Sequence, residues 1–143
     1  MTLAIGMAVL AGALIGLSRQ VNGRLSLAKG ALGASFWNHL VGSLALGTAT
    51  LLLALAGTRP DLSGLAETPA YAWAGGTLGV VFVAAGSWLV ARIGATMTAL
   101  LVIAGQMVSG AMIDTLCHGA EGAPLRATGV LVILAGVALA SQR

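Results

Sequence analysis

The chain has 143 residues, 58% of them hydrophobic and 8% charged, with seven basic residues against four acidic ones. Soluble domains carry roughly 25% charged residues, so this chain cannot cover a water-soluble globule, and its mean hydropathy of +0.99 marks an integral membrane protein. The basic residues are scattered singly rather than gathered into a basic face, which excludes nucleic-acid binding.

A helix crosses the hydrocarbon core in about 20 residues. The charges divide the sequence into five uncharged runs, which predict transmembrane helices over about 2–18, 31–57, 70–91, 94–114 and 125–141. The runs are rich in Ala, Leu, Val and Gly without alternating polarity, which argues against a β-barrel and for an all-α bundle forming one domain from 1 to 143. No basic segment precedes the first run and no good cleavage site follows it, so it reads as a membrane helix and not as a removed signal. Connectors are expected at RQVNGRLSLAK, at RPDLSGLAE, at a tight turn around Arg92-Ile93-Gly94, and at CHGAEGAPLR. Pro60 and Pro69 bracket the second connector and Pro124 opens the fifth helix, places that helix ends tolerate. Cys117 stands alone, has no ligand-spaced partner, and reads as a small hydrophobe.

With five spans, Arg19, Arg24, Lys29, Arg92 and Arg143 fall on one side and Arg59 and Arg126 on the other. The positive-inside rule then predicts an external N-terminus and a cytoplasmic C-terminus.

Membrane helices associate through close contacts between small residues. Gly12 and Gly16, Gly75 and Gly79, and Gly105 with Ser109 and Gly110 are the candidates, more than five helices need among themselves. An odd number of spans cannot be doubled without inverting the second half, and inverted pairs are a recurrent transporter plan. The chain therefore reads as one half of a dimeric pathway.

Polar residues inside lipid are costly and mark functional sites by default. Gln106 is the deepest, about 12 residues into the fourth helix, and shares a face with Ser109, Gly110 and Ile113. It either lines a pathway or ties helices together. Asp114 lies about 12 Å further along the axis and suits the outer mouth, beside His118, as a gate, a proton carrier or an interfacial helix end. In the second helix, Asn38 and His39 point about 100° apart, so one of them faces a cavity, and Asn38 is preferred. His39 is either a proton carrier or a neutral ring bonded to a backbone carbonyl. Gln20 and Asn22, with Arg19 and Arg24, form a polar vestibule or a snorkelling interface. Trp37 and Trp88 wall a cavity or anchor at the interface, while Trp73 fits the aromatic belt. No metal-ligating, phosphate-binding or nucleophile motif is present, so neither an enzyme nor a cofactor is expected.

The blocks GLSRQVNGRL, FWNHLVGSLALG, GGTLGVVFVAAGSW, GATMTALLVIAGQMVSGAMID and GAPLRATG, in this order, resemble the half-length, five-helix YdcZ-type branch of the drug/metabolite transporter superfamily. The resemblance covers nearly the whole chain. It implies a bacterial inner-membrane exporter-like half, working by alternating access as an antiparallel dimer with a second copy or with a related half-length chain, ten helices in all. It implies no particular substrate; the polar residues at depth point instead to a small metabolite or drug-like solute, with Gln106, Asn38, Gln20, Trp88 and Asn22 along its path. Related four-helix multidrug exporters carry a glutamate inside helix one, where this sequence has Ala8, Gly12 and Leu14, so proton-coupled export of cationic drugs does not carry over. Two other readings stay open: a passive channel of the dimeric fluoride-channel kind, suggested by GALIGLSR and NHLVGSLALG, and a scaffold subunit that transports nothing.

Overall fold

The computed structural model describes residues 1–58 and 61–142. Arg59 and Arg143, two of the basic residues that set the expected orientation, and Pro60 lie outside them. Helix α1 runs over Thr2–Leu55, α2 over Ala74–His118 and α3 over Ala123–Ala140, and no strand occurs among the described residues. The segments Thr2–Leu55, Ala70–His118 and Ala123–Ala140 are long and apolar enough to cross a membrane.

Two of these helices are interrupted. Gly30 in α1 adopts φ 75°, ψ 167°, and Gly94 in α2 adopts φ 79°, ψ 165°. That region of backbone space is essentially reserved for glycine. A helix cannot pass straight through it, so each glycine ends one helical segment and starts another. The breaks coincide with the predicted starts of the second and fourth helices. By contrast, the connector expected at residues 19–29 is helical. Arg19, Arg24 and Lys29 are good helix formers, and long basic side chains reach water from a helix at the membrane edge. Charge therefore did not end the first helix. The glycine after it did.

Other ends move by a few residues. The second segment stops at Leu55, and residues 70–73 form a 3₁₀ turn before α2 begins at Ala74. Tightened turns of this kind are common at helix starts. The fourth segment continues past Asp114 to His118, and α3 begins at Ala123, with Pro124 in its first turn. Between α1 and α2, Asp61 accepts a hydrogen bond from the Ser63 backbone N–H at 2.9 Å. Bonds from the Ser63 hydroxyl and backbone hold its carboxyl below the usual range.

The chain divides into two compact units, residues 1–91 and 92–143. In the first, α1 folds back at Gly30. Asn22 and Asn38 would be about 24 Å apart on a straight helix, yet their amides meet at 2.9 Å. The Ser35 hydroxyl donates to the Val80 carbonyl at 2.9 Å, which fastens the second segment to α2. Gly23 is buried, and a side chain there would overlap Val90, so the first segment and α2 approach closely at this point.

The interior of this unit is built mainly from small and polar residues: Asn22, Ser26, Ala34, Ser35, Ala84 and Ser87 are buried, with Val90 the larger apolar residue beside them. Large apolar side chains such as Leu10, Leu17, Leu44 and Leu52 point outward and are more than half exposed. A water-soluble protein sorts its residues the other way. Lipid offers no hydrophobic gain for burying leucine, so small residues take the contacts.

In the second unit, the segment after Gly94 and α3 are joined by a short turn in which Gly119 and Gly122 have positive φ. Arg126 of α3 stands opposite Asp114 of α2, so α3 returns alongside its predecessor.

Candidate functional site

Polar side chains gather in two places, one in each unit. In the first unit the reversal at Gly30 places residues equidistant from it side by side, and Asn22 and Asn38 are both eight positions away. The Asn22 amide donates to Asn38 Oδ1 at 2.9 Å and lies 3.4 Å from the Ser18 hydroxyl. Asn22 is 8% exposed, so the pair shields a polar group that would otherwise be orphaned in the bundle. Beside it lies a cavity of about 350 Å³, lined by Ser18, Arg19, Asn22, Phe82 and Ser87 among others. Arg19 places its guanidinium 5.7 Å from the centre of the Phe82 ring, a cation–π contact. The Ser87 hydroxyl turns back on its own helix and donates to the Val83 carbonyl at 2.6 Å.

His39 lies next to this cluster but does not line the cavity. Its Nδ1 is 2.8 Å from the Ser35 carbonyl oxygen. A carbonyl only accepts, so Nδ1 carries the proton in that bond. Its Nε2 faces Gly79, where an added Cβ would stand 3.5 Å away. Gln20 is exposed and lies off the cavity, as does Trp88 at 45% exposure. Trp37 packs edge-on against Phe36, with ring centres 5.7 Å apart.

In the second unit, Gln106, Gly110 and Asp114 line a cavity of about 360 Å³ together with Arg126 of α3. Gln106 is exposed on its helix, and its amide has no hydrogen-bond partner among the described residues. Asp114 stands between two basic side chains: Arg126 Nε is 3.9 Å from Oδ2 and His118 Nδ1 is 4.0 Å from Oδ1. Both distances exceed a hydrogen bond. The Ser109 hydroxyl bonds to the carbonyls of Gly105 and Gln106 on its own helix.

The glycines divide clearly. Within this chain a side chain added at Gly12, Gly16, Gly75, Gly105 or Gly110 would meet nothing within 4 Å, and the close helix approach is made at Gly23 instead. Gly23, Ser35, Ser87 and Arg126 were not singled out as site or packing residues in the sequence. Arg126 could have been found. It lies one turn of helix beyond the 119–122 turn, nearly as far as Asp114 lies before it, and helices reversing at a short turn place such residues near one another. Gly23 and the serines carried no comparable signal. Among the described residues, no three His, Cys, Asp or Glu side chains come together as a metal site.

A family model described as "Putative inner membrane exporter, YdcZ" matches residues 3–139. Searches of curated proteins and of solved structures found no match.

Proposed function

The chain belongs to the YdcZ family of the drug/metabolite transporter type, and from that premise we propose that it is a secondary transporter moving a small solute by alternating access. In this reading the chain crosses the bilayer five times. A straight α1 would be about 80 Å long, against a hydrocarbon core of about 30 Å. Divided at Gly30, it yields two segments of roughly 40 Å, each suited to one crossing. Gly94 divides α2 likewise, and α3 supplies the fifth span. The N-terminus then lies outside and the C-terminus in the cytoplasm.

One observation carries the proposal. A buried amide, Asn22, bonded to the half-buried Asn38, lines a cavity of about 350 Å³ in a unit whose large apolar side chains face outward. Structural adhesive alone needs the pair but not the space beside it. Serine, amide and guanidinium groups around that space can exchange hydrogen bonds with a solute that has shed its water. Asn22 and Asn38 serve as contacts, and Gln20 and Trp88 as residues of the approach.

The working unit is an antiparallel dimer with a second copy or with a related half-length chain. The unfilled surfaces at Gly12, Gly16, Gly105 and Gly110 support this, because small residues facing lipid leave room for another helix. Purified protein in liposomes, assayed for flux of labelled small metabolites, tests the proposal. Transport that persists in both Asn38→Ala and Gln106→Ala removes the pathway. Fluoride-selective current instead of solute flux replaces it with a channel.

A further inference from the structure

We infer that Arg126, with Gln106 deeper in the same cavity, forms a binding site for the anionic head, a carboxylate or phosphate, of a single-chain amphiphile, and that Asp114 competes with that head for the guanidinium. The inference deepens the transporter reading by naming a solute class for the second unit.

The guanidinium of Arg126 is under-used. Its contact with Asp114 is 3.9 Å, too long for a hydrogen bond. Its Nη1 is enclosed and has no hydrogen-bond partner among the described residues. Arginine has five donors in a planar fork that matches carboxylate and phosphate oxygens. Leaving such donors unmet costs free energy, and an entering anion would satisfy them. The side chain is 35% exposed, so its end can turn toward the cavity. Helix α3 adds to the positive field there, because its first turn carries no acidic residue and its N-cap no side-chain bond.

The surroundings specify the rest of the ligand. Arg126 lines two cavities. One, of about 360 Å³, leads to the unpaired Gln106 amide. The other, of about 550 Å³, is walled by apolar residues including Val108, Met112, Leu116 and Leu131. A charged head at Arg126 and a hydrocarbon tail along that wall match both.

Asp114 is the competitor. It is the acidic group nearest the guanidinium, and His118 on its other side, at 4.0 Å, gives it a second partner when an anion displaces it. Glu121, in the turn between the helices, is exposed and forms no ion pair among the described residues.

The test needs no turnover. Cys117 is the only cysteine and is exposed close to the site, so an environment-sensitive fluorophore on it reports binding. Full-length protein in phosphatidylcholine nanodiscs is titrated with octanoate, octyl phosphate and, as a cationic control, octyltrimethylammonium. The two anions should bind and the cation should not, with affinity rising by up to about fourfold per methylene of the tail. Arg126→Gln should weaken binding by about 10-fold or more, and Arg126→Lys should recover only part of it. Asp114→Asn should tighten binding about two- to fivefold, because an internal rival is removed. A purely structural ion pair predicts the reverse for Asp114→Asn. Weaker binding in that variant, or equal binding of the cation, overturns the inference. Replacing phosphatidylcholine with phosphatidylglycerol separates the sources: loss of the probe signal assigns the site to a lipid headgroup, and an unchanged signal assigns it to a free solute. Binding without flux would uphold this site while the transporter reading failed, and flux indifferent to anions would do the opposite.

Discussion

Replacing Gly30 with alanine isolates the break in α1. The glycine sits at φ 75°, ψ 167°, and a Cβ added there would meet no atom of another element within 4 Å. The penalty is therefore confined to the backbone, and occupying such a region costs a side-chain-bearing residue of order 1–3 kcal/mol. Gly47 provides the control. It lies in the helical second half of α1, and its added Cβ also meets nothing within 4 Å. There alanine should stabilise the helix by about 0.5–1 kcal/mol. The same added methyl thus has opposite signs at two positions, separated by roughly 1.5–4 kcal/mol. Equilibrium unfolding in dodecylmaltoside–SDS mixed micelles, followed by far-UV circular dichroism, measures both. If Gly30→Ala stabilises the protein as Gly47→Ala does, α1 is not broken at residue 30, and the pairing of Asn22 with Asn38 loses its basis.

Other outcomes follow from the same geometry. Gly23→Ala should destabilise the first unit by about 1–3 kcal/mol through overpacking against Val90, and Val90→Ala added to it should restore most of the loss, a coupling that a double-mutant cycle reads directly. Asn38→Ala should cost about 1 kcal/mol, since polar pairs between membrane helices are worth roughly 0.6–2 kcal/mol, and the loss should disappear in an Asn22→Ala background; equal losses in both backgrounds would mean that the 2.9 Å contact carries no energy. In intact cells a membrane-impermeant maleimide should modify Cys117, which lies near the turn placed outside; protection until the membrane is permeabilised would reverse the orientation, and half-modification would mean dual insertion.

The membrane class and the all-helical fold were legible because they depend on composition, which no local detail overrides. Helix boundaries were legible where glycine set them and illegible where charge was expected to. Arg19–Lys29 looked like a connector, but nothing in that stretch forbids helical backbone, and the interface tolerates arginine. The polar residues were visible one at a time. Their pairing was not, because Asn22 meets Asn38 only if the chain reverses at residue 30, and a glycine in sequence does not announce a positive φ. Arg126 was counted solely for orientation, although it lies within about one helical turn of the connector, as Asp114 does on the other side. Gly23 offered no clue, since what distinguishes it from the other glycines is the neighbour it meets.

Water in the cavity beside Asn22 is the most direct test of a solute route between these helices. In a Cys117→Ser background, Ser18→Cys places a thiol on the cavity wall and Leu10→Cys places one on the outward apolar surface. Thiols react with a charged methanethiosulfonate only where water lets them ionise. In native membranes the account predicts fast modification at position 18 and none at position 10. Equal protection at both positions would mean that the space between the helices is dry, and the proposed route would be withdrawn.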